Sequence, residues 1–175
     1  MTDTIDAGRA AELLGTAVSS VFADMAFIDA QPLGNNPLDE EKKLNSGNAD
    51  GNAQAPACDA DDSRYAAIDV LTPLSCRILI HLDKSLLNKI VENLFGETPA
   101  DVGLANSEDS LLEMLNIIAG SFLSAYFGAG APIQLELPRY LYFGEQHTGT
   151  EVARVELDAE GERLSASLVS VRYRY

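Results

Sequence analysis

The spacing of apolar residues predicts three helices. From Asp6 to Met25, apolar side chains recur every three or four positions, which is the period of an amphipathic helix. A second helix with an apolar stripe follows Asp83 and extends to Phe95. A third covers the long apolar stretch that begins at Asn106. The chain therefore has enough helical pattern to cover one side of a sheet.

Strand patterns precede the second helix and follow the third. "RYAAIDVL" and "SCRILIHLD" are joined by the turn "TPLS", and "PIQLELP" and "YLYFGE" are extended segments. "EVARVELD" and "ERLSASLVSVRYRY" alternate well and flank "AEG", a hairpin signal. The order is helix, two strands, two helices, then three or four strands. This order predicts an α+β fold, with an antiparallel sheet that carries helices packed on one face.

The segment from Gln31 to Ser63 has a different composition from the rest of the chain. It is rich in Asn, Gly, Pro, Ala and Asp and has almost no aliphatic periodicity. Such a segment buries too little apolar area to offset the entropy lost on ordering. We therefore expect one domain over residues 1–175, with a flexible acidic insertion at 31–63.

A row of polar and small residues interrupts the third predicted helix. Asp109, Glu113 and Asn116 are four and three positions apart, and Gly120 continues the series. At 3.6 residues per turn, the last three lie within about 40° of Asp109 around the helix axis. The apolar residues occupy the opposite arc, except Ile117, which lies beside the row. We expect the row to face away from the core.

Two explanations of this row remain open at this point. Any solvent-facing side of a helix must be polar, and Asp109 would suit a first helical turn because of the helix dipole. However, Asn116 is a poor helix former, and Gly120 costs about 1 kcal/mol relative to Ala within a helix. Without a Cβ, Gly120 would let another backbone approach beside Glu113 and Asn116. These choices are unusual for an ordinary solvent face, but the spacing alone favours neither explanation over the other.

Composition and charge narrow the range of partners. The net charge of -15 argues against a nucleic-acid interface, because phosphate backbones are bound by Lys and Arg. An acidic surface suits a partner with a basic patch, but it is equally typical of a soluble protein whose charge has no role in binding. The chain has two cysteines, no secretory signal and no window of about 20 apolar residues, which predicts a cytoplasmic protein without membrane insertion.

His81 has no second ligand at metal-binding spacing, so we predict a structural histidine and no metal site.

The string "DSLLEMLNIIAG" resembles the signature helix of the CheX/CheC family of chemotaxis phosphatases. That signature has an acidic residue or Ser, three positions, Glu, two positions, Asn, and a later Pro. Asp109, Glu113 and Asn116 fill the helical part. Pro138 follows Asn116 after 21 residues, about one fewer than in the family pattern. The element order and the helix ending "LFGE" extend the resemblance over the rest of the chain, apart from the insertion.

The resemblance is to the single-site, CheX-like type. CheC-type members carry a second Glu-x-x-Asn helix, whereas the first helix here has Glu12 followed three positions later by Gly15. The second predicted helix has no such pair. One site is therefore expected.

The resemblance implies dephosphorylation of a phosphorylated CheY-like response regulator. Glu113 would pair with the active-site lysine of the receiver domain, and Asn116 would orient the attacking water. Asp109 and Gly120 would belong to the docking surface. The divalent metal, expected to be magnesium, would be carried by the partner, so the chain itself would need no cofactor. The resemblance also allows a homodimer.

Two other functions compete with this one. The first is a non-catalytic binding module of the chemotaxis or flagellar-switch machinery, with the same fold and docking helix. The second is an unrelated α+β protein whose helix has a polar face of no functional meaning. The intact pair of Glu113 and Asn116 favours catalysis over binding alone.

Overall fold

The computed structural model of the protein describes residues 5–33, 63–102, 104–141 and 149–171. The helices are α1 (Ala7–Ala26), α2 (Lys84–Phe95), the short α3 (Pro99–Val102) and α4 (Leu104–Phe127). The strands are β1 (Ala30–Pro32), β2 (Ser63–Thr72), β3 (Cys76–Asp83), β4 (Gln134–Leu135), β5 (Arg139–Tyr140), β6 (Thr150–Ala159) and β7 (Glu162–Ser170).

The strands form one antiparallel sheet in the order β1-β6-β7-β3-β2-β4, with β5 also paired to β2. The predicted hairpins β2–β3 and β6–β7 both form. On either side of Pro138 the described residues form the two-residue strands β4 and β5, which pair with β2, and the Glu136 and Leu141 backbone N–H groups donate to the Asp69 and Tyr65 carbonyls of β2 at 2.8 Å each. Residues 142–145 of the second predicted segment lie outside the described residues. Together with the helices, the sheet confirms the predicted α+β class.

The helices pack on one face of the sheet. Alternate residues of the four long strands and the apolar sides of α1, α2 and α4 join in a single hydrophobic core. α1 runs antiparallel to α4, since the Asp6 backbone N–H donates to the Tyr126 hydroxyl at 2.9 Å and the Arg9 guanidinium lies 5.0 Å from the centre of the Tyr126 ring. The C-terminal end of α1 therefore lies beside the first half of α4.

Local backbone contacts fix the start of α1 and the end of α2. The Asp6 carboxylate accepts a hydrogen bond from the Arg9 backbone N–H at 3.0 Å and so caps α1. Gly96 ends α2 in the left-handed conformation, with φ 67°. Asp83 precedes α2 but makes no capping bond, and its carboxylate instead accepts from the Ser63 hydroxyl at 3.3 Å.

The predicted insertion is wrong at both of its ends. Gln31 and Pro32 belong to β1, which pairs with the end of β6, and the Leu33 backbone N–H donates to the Glu156 carbonyl at 2.8 Å. Ser63 is the first residue of β2. Local composition gave no sign of β1 because its pairing partner lies far along the chain, and an edge strand tolerates Pro. Residues 34–62 lie outside the described residues.

α4 begins earlier than the pattern predicted. Its first residue is Leu104, so Asp109 lies in the second turn and not the first. The proposed role of Asp109 at the positive end of the helix dipole is therefore wrong, because that effect is confined to the first turn. Another reason is needed for an acidic residue at this position.

The Glu108–Phe127 part of α4 is long enough to cross a membrane and has a mean hydropathy of 1.3. Its apolar residues nevertheless have partners inside the protein, where they form the core with α1 and the sheet. The buried ones are Leu111, Met114, Leu115, Ile118, Ala119, Phe122 and Leu123. The hydropathy of α4 therefore follows from its place in the core.

The sheet face opposite the helices is polar. Arg77 and Asp69 form an ion pair at 2.6 Å across β2 and β3, and His81 stacks on Tyr65 with ring centres 4.2 Å apart. Burial lowers the pKa of His81, and its Nε2 atom makes no hydrogen bond to the described residues. The ring stack fits the predicted structural histidine, although its hydrogen bonding is incomplete.

Candidate functional site

The polar row of α4 lies on the surface, as its helical spacing predicted. Asp109, Glu113 and Asn116 are exposed, and Gly120 is partly exposed. Ile117, beside the row, is 40% exposed and is one of the few large apolar side chains at the surface. The row is thus an accessible strip along a helix whose other side is fixed in the core.

Contacts at both ends of α4 hold the row in place. Near its start, the Tyr140 hydroxyl on β5 donates to the Glu108 carbonyl at 3.1 Å, and burial raises the pKa of Tyr140. At its end, Tyr126 contacts Asp6 and Arg9 of α1. A site on a helix anchored in this way is more rigid than one on a loop. No local pattern in the sequence indicates the Tyr140 contact.

The polar groups of the row have no partners inside the described part of the chain. Asp109, Glu113 and Asn116 make no ion pair or side-chain hydrogen bond there. The carboxylates and the carboxamide are therefore free to bind groups of another molecule. The carboxamide offers both a donor and an acceptor.

Gly120 has no internal reason to be glycine. A Cβ built on it would meet no atom within 4 Å, and its φ is not in the left-handed region. Alanine would therefore fit, and the intrinsic preference of helices favours it by about 1 kcal/mol. The missing side chain leaves room at the surface of the row.

A groove that the sequence did not predict lies beside the row. It has a volume of about 430 Å³ and is lined by Met25, Leu94, Phe95, Asp109, Ser110 and Glu113. These residues come from α1, α2 and α4, and Phe95 is 48% exposed. The groove therefore joins an apolar surface to the two carboxylates of the row.

α1 does not repeat the row. Glu12 is exposed, but Gly15, three positions later, is buried, and a Cβ there would lie 3.2 Å from the Val155 side chain on β6. The position that corresponds to Asn116 thus faces the sheet. This agrees with the prediction of one site.

Other candidate groups for chemistry are few. In the described ranges no group of three or more His, Cys, Asp or Glu side chains has an arrangement that could hold a metal ion. The Cys76 thiol is buried, and burial together with the nearby Asp69 carboxylate raises its pKa to about 12. At neutral pH this thiol is protonated and is a poor nucleophile.

A match to a protein-family model shows which family the chain belongs to. The model described as "Chemotaxis phosphatase CheX" matches residues 64–157, more than half of the 175-residue chain. The chain belongs to the CheX family. The match includes the polar row of α4, Pro138 and Tyr140. The role of Pro138 as the family proline stays a prediction; the residue lies between β4 and β5, two positions before the tyrosine that anchors α4.

Solved structures have the same fold. The chemotaxis protein CheX from Vibrio vulnificus is 14% identical over 91% of this chain and 97% of its own, with a TM-score of 0.63. The CheX–CheY–BeF3–Mg complex from Borrelia burgdorferi is 16% identical over 97% of this chain and 100% of its own, with a TM-score of 0.61. FliY from Thermotoga maritima is 16% identical over 97% of this chain and 92% of its own, with a TM-score of 0.53. A comparison with curated proteins finds no match.

Proposed function

We propose that this CheX-family protein is a cytoplasmic phosphatase of a phosphorylated CheY-like receiver domain. The observation that carries the proposal is the exposed pair of Glu113 and Asn116 on α4. Neither side chain makes an ion pair or side-chain hydrogen bond with the described residues, and both lie within the residues that match the family. Such groups are available to a second protein.

Asn116 is the proposed catalytic residue. Its carboxamide holds a water molecule in line with the bond between phosphorus and the aspartate oxygen of the receiver. The water oxygen attacks phosphorus, that bond breaks, and the products are inorganic phosphate and the free aspartate. Because the transition state of phosphoryl transfer is loose, positioning and electrostatics supply most of the catalysis, and a strong base is not needed.

Glu113 is proposed to position the partner. Its carboxylate pairs with the active-site lysine of the receiver and so places Asn116 over the phosphoryl group. The Borrelia burgdorferi complex combines CheX and CheY with BeF3 and Mg. By analogy, we propose that a magnesium ion on the receiver neutralises the phosphoryl oxygens, and that this chain contributes no cofactor.

Asp109 and Gly120 complete the proposed docking surface at the two ends of the row. Asp109 lies beyond the first turn of α4 and makes no ion pair or side-chain hydrogen bond with the described residues, so attraction to a basic partner is a sufficient reason for its charge. Gly120 lets the receiver backbone approach the helix closely.

The replacement Gly120→Ala is expected to have opposite effects on stability and on binding. The free energy of unfolding should rise by up to about 1 kcal/mol, because Ala is the better helix former and fits without a clash. The affinity for the receiver should fall, because a methyl group occupies the surface of closest approach. Thermal unfolding and calorimetric titration measure the two effects. Ser20→Ala, on the exposed face of α1, is the control that raises helix propensity away from the row.

A non-catalytic binding module is the second candidate function. The observation that favours a binding module is the similarity of the fold to FliY from Thermotoga maritima, which is not named as a CheX phosphatase. The same architecture therefore occurs in proteins with other names. A phosphate-release assay with a panel of phosphorylated receiver domains separates the two candidates. A phosphatase accelerates phosphate loss from at least one receiver, whereas a binding module forms a complex without acceleration.

A further inference from the structure

The groove beside the polar row combines two kinds of surface. Met25 of α1 and Leu94 and Phe95 of α2 provide its apolar part, while Asp109 and Glu113 of α4 provide two carboxylates. Its lining contains no basic residue. The fold thus leaves an accessible apolar surface beside two carboxylates that make no ion pair with the described residues.

The apolar part of the groove is held in a fixed position. The Asn93 carboxamide donates to the Ala26 carbonyl at 2.8 Å and joins the last turn of α2 to the end of α1. α2 then ends at Gly96, whose backbone N–H donates to the Glu92 carbonyl at 2.9 Å. Phe95 therefore extends from an ordered helix end, yet its ring is 48% exposed. An accessible aromatic ring on an ordered helix end is suited to binding, because little backbone entropy is lost when a partner covers it.

The chemistry of the lining favours one kind of occupant. An apolar side chain would cover Phe95 but would also remove water from the carboxylates of Asp109 and Glu113, which is unfavourable without a partner. An acidic side chain would be repelled. An Arg or Lys satisfies both surfaces, because its stem is apolar and its cationic end pairs with a carboxylate or stacks on an aromatic ring. The net charge of -15 makes a basic partner still more favourable.

We infer that the groove binds a basic side chain of the same receiver domain whose phosphoaspartate faces Asn116. This inference rests on the proposed function. The groove and the catalytic row share Glu113, so one partner can cover both surfaces. In this arrangement the stem of the Arg or Lys lies on Phe95 and its cation pairs with Asp109. Receivers with a basic residue at the matching position would be preferred over those without one.

The test uses a receiver that the wild-type protein dephosphorylates, loaded with beryllium fluoride and magnesium to mimic the phosphorylated state. Phe95→Ser and Asp109→Asn are each expected to weaken the complex about tenfold in calorimetric titration, the size of effect typical of a buried contact in an interface. Both side chains are well exposed, so the variants should keep their fold, which circular dichroism verifies. Leu33→Ser is the apolar control, since Leu33 is 47% exposed and lies after the edge strand β1. Glu12→Gln is the charge control on α1, and both controls should bind like wild type.

A second arm identifies the occupant. Each surface Arg or Lys near the phosphorylation site of the receiver is replaced by Met, which keeps an apolar stem and removes the charge. One replacement should weaken binding of the wild-type protein about tenfold and have little further effect on binding of Asp109→Asn, because coupled residues are not additive.

The remaining outcomes separate this inference from the proposed function. If Phe95→Ser and Asp109→Asn bind like wild type while Asn116→Ala still lowers the rate of phosphate release, neither the groove nor Asp109 is part of the interface. The proposed phosphatase function then stands without the docking role of Asp109. If Phe95→Ser weakens binding and Asp109→Asn does not, the occupant is apolar and the inference is wrong. If the wild-type protein neither binds nor dephosphorylates any receiver, the proposed function and the inference both fail.

Discussion

The replacement Asn116→Ala is expected to lower the maximal rate of receiver dephosphorylation by about 10²-fold or more, with little change in the half-saturating receiver concentration. The reason is that the carboxamide holds the attacking water only while the phosphoryl group reacts. Its loss therefore removes an interaction of the transition state more than one of the bound ground state. Asn116 is exposed, and its side chain makes no hydrogen bond in the part of the chain that the structure describes, so the fold should be unaffected.

The variant Asn116→Asp sharpens this prediction. It keeps the shape of the side chain but places a negative charge against the phosphoryl group, so it should be nearly as damaging as Asn116→Ala. Stopped-flow or radiolabel measurements of phosphate loss give the rates, and circular dichroism verifies folding. A folded Asn116→Ala protein that matches the wild-type rate would exclude Asn116 as the residue that orients the water.

The replacement Glu113→Lys is expected to weaken the complex with the receiver by about 10²-fold, and Glu113→Ala by less. Glu113→Ala only removes an ion pair, whereas Glu113→Lys also sets two positive charges against each other across the interface. Neither variant should disturb the core, because the side chain is exposed on the side of α4 away from the sheet. Calorimetric titration against a receiver loaded with beryllium fluoride measures the affinities.

Glu12→Lys is the matched control for this prediction. It makes the same change in net charge, also on the exposed side of a long helix, but on α1, where no Asn follows. Long-range attraction between an acidic protein and a basic partner would weaken equally in both variants and would fade with added salt. If Glu113→Lys binds like wild type or like Glu12→Lys, Glu113 does not contact the receiver.

The location of the polar row could be predicted from the sequence because it depends on one helix alone. Once α4 forms, the 3.6-residue period places Asp109, Glu113 and Asn116 on one side, and the apolar residues direct that side outward. The family resemblance then adds what spacing does not give, which is a chemical role for the pair Glu113 and Asn116. That role remains a prediction until rates are measured.

The groove could not be predicted in the same way. Its lining comes from the ends of α1 and α2 and the first half of α4, which are brought together only by packing on the sheet. In the sequence, Phe95 is simply the last residue of an apolar stripe, and nothing local shows that its ring stays 48% exposed. For the same reason β1 was missed, since its stability comes from pairing with Leu157–Ala159 far along the chain.

The most direct test of the central claim is the decay of a phosphorylated receiver in the presence of a substoichiometric amount of the wild-type protein. We expect phosphate to be released well above the spontaneous rate, each protein molecule to act on many receivers, and Asn116→Ala to remove the acceleration while still binding. A wild-type protein that binds the phosphorylated receiver but leaves its rate of decay unchanged would contradict the claim of catalysis and identify a binding module.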